Sequence, residues 1–128
     1  MKIKTLLMLS SSLEFVTGLA LIAAPSLVTK MLLSAELAAG GVSVGRVAGF
    51  GLVSLAMASW PFGEGDQTQS VRALFLYNLL AACYLGYLRI GGEFSSVFLL
   101  PVSFLHGVLA LSFARPAYGR AIVNGAKI

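Results

Sequence analysis

Charged residues are scarce in this 128-residue sequence, because Asp, Glu, Lys and Arg together make up 11% of it while apolar types make up 58%. An average soluble domain has about 25% charged residues, and a chain this small has a large surface for its volume. The composition therefore excludes a soluble globular domain and a disordered chain. The mean hydropathy of +0.90 predicts a protein surrounded mostly by lipid, so the lipid bilayer is its first expected partner.

Cysteine and histidine are nearly absent, with Cys83 and His106 as the single examples. One cysteine excludes an intrachain disulfide and the zinc motifs built from cysteine pairs, and we expect Cys83 to be a small buried residue. One histidine with one carboxylate falls short of the three or four protein ligands of a zinc site, so no metal site is predicted. No phosphate-binding loop or dinucleotide motif occurs, and the sequence identifies no cofactor.

The net charge of +4 comes from scattered basic residues, not from a basic stripe with interleaved aromatics. This pattern argues against a nucleic-acid partner and is better interpreted through the positive-inside rule. If the four spans cross the membrane in alternating directions, one side of the membrane carries more basic residues than the other. Lys30 and Arg89 lie on the side with fewer basic residues. The richer side carries Lys2, Lys4, Arg72, Arg115, Arg120 and Lys127. We therefore predict a multi-pass protein of the inner (cytoplasmic) membrane with both termini in the cytoplasm.

Long apolar segments are abundant, and a helix needs about 20 apolar residues to cross a bilayer. Four segments qualify within a single domain, at about residues 5–24, 42–61, 72–89 and 94–114. The N-terminus is also typical of a secretory signal, but Glu14 interrupts its apolar run and we expect a retained first span. The prediction is an all-α, four-helix transmembrane bundle in which Pro101 bends the fourth span.

Residues 26–41 connect the first two spans and mix apolar with polar residues. Their spacing predicts a short amphipathic helix in the membrane interface. The alternative is that this segment extends the first span past Pro25.

Glycines recur at helical spacing in the predicted spans. In the second span Gly41, Gly45 and Gly49 follow at intervals of four, and Gly86 and Gly107 lie in the third and fourth. Small residues allow membrane helices to approach closely, so these glycines are predicted packing positions, although glycine is also simply common in membrane helices. The sequence leaves open whether the contact lies within one chain or between subunits.

Polar side chains within the predicted spans are few and expensive to place in lipid. Five stand out: Glu14, Arg46, Tyr77, Asn78 and His106. At about 1.5 Å rise per residue, Glu14, Asn78 and His106 share one layer on the cytoplasmic side of the midplane, whereas Arg46 enters from the opposite face. Tyr77 is about 100° around the helix from Asn78, so we expect only one of the two to point at the layer.

This layer has two interpretations. It is either a hydrogen-bonded network that fixes helix register, or a Glu14–His106 site that binds a ligand or a proton with Asn78 and Tyr77 in support.

The same residues carry a resemblance to a group of small bacterial four-helix membrane proteins of unassigned activity. The matching stretches are 13–14, 17–21, Pro25, 45–49, Tyr77–Asn78 and His106. The resemblance implies a four-span fold with a shared polar core, and it implies no reaction.

The sequence contains no complete catalytic constellation, so we do not expect an enzyme. The favoured expectation is an accessory or packing subunit of a membrane complex or a homo-oligomer. The alternative is a small-solute or proton-handling bundle that uses Glu14 and His106.

Overall fold

A computed structural model describes residues 2–63, 65–92 and 94–125, with side chains up to residue 118. This part of the chain is all-α and has five helices: α1 (Ile3–Ala23), α2 (Pro25–Leu33), α3 (Ala39–Ser59), α4 (Thr68–Ile90) and α5 (Leu99–Gly125). Four helices are long and apolar enough to cross a membrane, namely α1, α3, α4 and the Leu99–Tyr118 part of α5. The predicted all-α fold with four such helices is confirmed.

The predicted short helix between the first two spans is present as α2. Ala24 interrupts the helical dihedrals with φ −143° and ψ 62°, and Pro25 opens the new helix. Proline lacks a backbone N–H and has a fixed φ, so it is well suited to the first turn of a helix. The alternative, in which α1 continues past Pro25, is therefore wrong.

The fourth long helix begins later than the sequence suggested, at Leu99 and not near Phe94. Pro101 consequently lies in the first turn, where backbone N–H groups have no partner within the helix. A proline in the first turn removes no hydrogen bond within the helix, so the reason for expecting a bend at Pro101 does not apply. The proline inside α5 is Pro116.

The long helices form two antiparallel pairs, α1 with α3 and α4 with α5. Three levels follow one another along the bundle. At the end near the N-terminus lies an apolar cluster of Leu6, Leu7, Val71, Leu74, Phe113 and Ala117. The middle level is a layer of buried polar side chains, and beyond it an apolar cavity extends to α2.

Short polar contacts hold α2 in place. At its C-terminal end Ser34 adopts a left-handed conformation (φ 56°) and donates its N–H to the Lys30 carbonyl. The exposed Lys30 Nζ donates to Glu36 Oε1 at 2.8 Å, which raises the pKa of Lys30 and lowers that of Glu36. An exposed pair of this kind stabilises little. The buried Ser96 hydroxyl, in contrast, donates to the Met31 carbonyl at 2.6 Å.

We expect the variant Ser96→Ala to loosen α2, because the Met31 carbonyl loses its donor from the segment that precedes α5. The expected loss is about 1 kcal/mol, seen as faster amide hydrogen exchange across α2 with little change in the long helices. The matched control is Ser95→Ala, since Ser95 is exposed. Equal exchange in both variants would contradict the anchoring role.

The outer surface of the bundle is strongly apolar. Large apolar side chains point outward on all four long helices, including Val16 (65% exposed), Val44 (69%), Leu80 (60%) and Phe104 (74%). Soluble monomers rarely expose contiguous apolar surface of this extent. Three polar side chains of the long helices, those of Glu14, Asn78 and His106, are buried inside the bundle.

Candidate buried polar site

Asn78 lies at the centre of the buried polar layer. Its side chain is fully buried on α4. Asn78 Nδ2 donates to the Leu74 carbonyl at 2.8 Å and to Ser10 Oγ at 3.2 Å, and its Oδ1 lies 2.8 Å from His106 Nδ1. One amide therefore connects α1, α4 and α5.

These contacts fix the protonation pattern of the His106 ring. A carbonyl oxygen can only accept, so the Asn78 atom that faces Leu74 must be the amide nitrogen, and the atom that faces His106 must be the oxygen. That oxygen also only accepts, so the proton between the two side chains belongs to His106 Nδ1. In the neutral ring Nε2 then has no proton and carries a lone pair.

Glu14 packs behind the histidine from α1. Its side chain is 1% exposed, and Oε1 lies 4.0 Å from His106 Nδ1. The Tyr77 hydroxyl approaches the Glu14 carboxyl closely enough to interact with it electrostatically. The Tyr77 ring meets the His106 ring edge to face, with centroids 5.8 Å apart. Tyr77 and Asn78 therefore both contact His106, contrary to the expectation that only one of them would.

Two buried polar atoms in the described part of the chain lack a hydrogen-bond partner, Ser11 Oγ and Glu14 Oε1. They are three residues apart on α1 and thus lie on the same face of the helix. An unsatisfied buried polar atom costs about 1–3 kcal/mol. Both interpretations of the layer, a network that fixes helix register and a ligand or proton site, stay compatible with these contacts.

Arg46 and Cys83 do not belong to this layer. Arg46 lies on α3, has an exposed side chain, and is not among the described contacts of Glu14 or His106. Cys83 was expected to be buried, but it is exposed on α4. An uncharged residue in an apolar helix gives no sequence signal for which side of the helix faces the bundle, and α4 has little amphipathic asymmetry.

An apolar cavity of about 550 Å³, open to the outer surface of the bundle near Val16 and Tyr84, adjoins the polar layer. It lies between the two helix pairs and reaches α2, with walls from α1, α2, α4 and α5 together with Leu52 of α3. His106 and Tyr77 form part of its wall where it meets the polar layer, and Tyr84, Thr17 and Thr29 are the other polar residues that line it. Among the residues that the structure describes, no Lys, Arg, Asp or Glu lines this cavity.

Gly45 and Gly49 of α3 face other helices of the chain, whereas the atoms nearest to Gly41 belong to Leu37, four residues earlier. A Cβ atom on Gly49 would lie 2.6 Å from the Gly18 carbonyl oxygen, and one on Gly45 would lie 2.8 Å from Pro25 Cβ. A Cβ atom on Gly41 would meet Leu37 Cδ2 at 3.0 Å. These contacts lie within one chain. The sequence had left open whether the glycines pack within one chain or between subunits.

The glycines of the second helix pair lie at the α4–α5 contact. A Cβ atom on Gly86 would lie 3.3 Å from Ser103 Oγ, and one on Gly107 would lie 3.9 Å from Ala82 Cβ. The Ser103 hydroxyl donates to the Ala82 carbonyl across the same contact at 2.9 Å. The α4–α5 contact at Gly107 is looser than the α1–α3 contact at Gly49. A methyl group at Gly107 would be at ordinary van der Waals distance from Ala82.

Sequence reasoning missed two parts of the site. Ser10 was not assigned to it, although the Asn78 amide and its own complete burial place it there; its spacing of four residues from Glu14 is the signal that could have found it. The cavity could not be found from sequence, because its volume depends on how far apart the two helix pairs stand.

Within the described residues, no three His, Cys, Asp or Glu side chains come together as a metal site. No protein-family model, curated protein or solved structure matches the chain. The geometry of the site therefore carries the functional argument.

Proposed function

We propose that the chain is an integral membrane protein that binds a small, mostly apolar molecule between its two helix pairs. The observation that carries this proposal is the cavity of about 550 Å³ whose apolar walls meet His106 and Tyr77. Ligand sites in proteins have volumes of about 300–1,000 Å³, with apolar walls and a few polar groups that fix orientation. This is the solute-handling alternative of the sequence analysis.

The apolar outer surface supports a bilayer as the surroundings of the bundle. Water would leave exposed side chains such as Val44 and Phe104 unfavourably hydrated, whereas lipid tails would not. The placement in the inner membrane with both termini in the cytoplasm stays a prediction from the basic residues. The resemblance to small bacterial four-helix membrane proteins is consistent with this fold and contributes no ligand.

Filling the cavity tests the proposed binding. Ala81 lines it, and we expect Ala81→Trp to weaken binding of a lipophilic, environment-sensitive fluorophore by at least about tenfold, since the indole occupies space that a ligand needs. The measurement is fluorescence titration of the purified protein in lipid nanodiscs.

Leu76→Trp is the matched control, because Leu76 lies on the same helix and is 54% exposed, away from the cavity. It adds the same indole to the lipid-facing surface. If both variants bind the fluorophore as the unmodified protein does, the cavity is not a binding site and the proposal is wrong.

The accessory-subunit expectation has its own support on the outer face of α3. Val47, Gly51, Ser54 and Ala58 are all exposed and share one helix face, and no atom lies within 4 Å of a Cβ placed on Gly51. Such a face permits close approach of another helix. If it is an interface, Gly51→Leu should abolish a dimer or a co-purified complex seen by size-exclusion chromatography with light scattering. A monomer without partners before the substitution would remove this second candidate.

A further inference from the structure

His106 lines the cavity, and its contact with Asn78 determines which of its ring nitrogens carries the proton. The described hydrogen bond of His106 uses Nδ1, and the Asn78 amide requires the proton to lie on that atom. Nε2 makes no described hydrogen bond and is not one of the buried polar atoms without a partner in the described chain, although the residue is only 8% exposed. Because His106 lines the cavity, we take Nε2 as the ring atom that presents its lone pair there.

The walls of the cavity restrict the charge of a ligand. The residues that line it are apolar or neutral, without a Lys or Arg to pair with a carboxylate or phosphate. Burying an unpaired charge in such surroundings is strongly unfavourable. A ligand that binds here must be neutral apart from the group that meets His106.

From these two observations we infer that the site takes a neutral, apolar molecule with a hydroxyl group, an alcohol or a phenol, whose O–H donates to His106 Nε2. The inference rests on the proposed function, because it names the class of ligand for the same cavity. A ligand with a hydroxyl group is therefore expected to bind more tightly than an ether, which has no proton to donate. It is also expected to bind more tightly than a carboxylate, which has no Lys or Arg partner among the described lining residues.

Three ligands of one shape test the hydroxyl requirement: 4-octylphenol, its methyl ether, and 4-octylbenzoate. The affinity of each ligand is measured by its displacement of the fluorophore from the protein in nanodiscs. Each affinity is corrected for partition of the ligand into empty nanodiscs. We expect the phenol to bind at least about tenfold more tightly than the ether or the benzoate. In the variant His106→Phe the phenol and the ether should bind equally. Tyr84→Phe, which removes another cavity hydroxyl, should keep the preference.

The outcomes separate the inference from the function on which it rests. If all three ligands bind equally, the cavity is a binding site and the hydroxyl requirement is wrong. If none of them binds and the fluorophore does not bind either, the proposed function itself is wrong.

The single histidine of the sequence provides a test that needs no substitution. Nitrogen-15 labelling of histidine gives signals from His106 alone, and we expect a proton on Nδ1 and none on Nε2. Addition of 4-octylphenol should shift the Nε2 signal, while the methyl ether should leave it in place. A proton found on Nε2 in the neutral ring would overturn the inference even if the variants fail to fold.

Discussion

Replacing Gly49 with alanine is expected to destabilise the bundle strongly, although the change adds only one methyl group. The new Cβ would lie 2.6 Å from the Gly18 carbonyl oxygen and 3.0 Å from the Ile22 backbone nitrogen. Backbone atoms cannot move aside as a flexible side chain does, so α1 and α3 must separate. The expected loss is about 1–3 kcal/mol, measured as the free energy of unfolding in mixed detergent micelles.

Gly51→Ala is the matched control, because it adds the same methyl group to the same helix two residues further on. No atom lies within 4 Å of a Cβ at Gly51, so we expect a change within about 0.5 kcal/mol. Gly18→Ala should be as harmful as the change at Gly49, since its Cβ would lie 2.8 Å from the Gly49 carbonyl oxygen. Equal stabilities at positions 49 and 51 would mean that the two helices do not cross at the glycines.

The number and type of the helices could be predicted from sequence because bilayer thickness sets a length that apolar segments must satisfy. The short α2 was predictable for a second reason, since Pro25 disfavours continuation of α1 and is well suited to the first turn of a new helix. The start of α5 was not, because residues 94–98 are as compatible with a span as with a loop. In the described structure the Ser96 hydroxyl is used outside the helix, by the Met31 carbonyl and the Phe98 N–H.

The membership of the polar layer followed from depth along each helix, and this places Glu14, Asn78 and His106 correctly next to one another. Rotation about each helix axis was much harder to predict. A helix that is apolar on all sides has no pattern to show which face turns inward, so the exposure of Arg46 and of Cys83 could not be predicted. The contact of Tyr77 with His106 depends on rotamers and helix spacing, which residue spacing does not encode.

Replacing Asn78 with leucine is expected to destabilise the bundle strongly and to alter the site. Leucine has the same number and branching of side-chain heavy atoms as asparagine but leaves the His106 Nδ1–H and the Ser10 hydroxyl without their buried partner. An average interhelical hydrogen bond in a membrane contributes about 0.6 kcal/mol, but two orphaned buried groups raise the expected loss to about 2–4 kcal/mol. Ser112→Ala is the control, because the exposed Ser112 hydroxyl bonds the Val108 carbonyl of its own helix.

A double-mutant cycle with His106→Phe separates the cost of an orphaned group from that of lost packing. Once His106 is phenylalanine, no Nδ1–H is left unsatisfied, so Asn78→Leu should be less harmful in that background than in the unmodified protein. We expect a coupling of about 1–2 kcal/mol between the two positions, measured by the same unfolding experiment. Additive effects would mean that the 2.8 Å contact between Asn78 Oδ1 and His106 Nδ1 contributes nothing to stability, and the fixed tautomer that gives His106 its acceptor nitrogen would lose its physical basis.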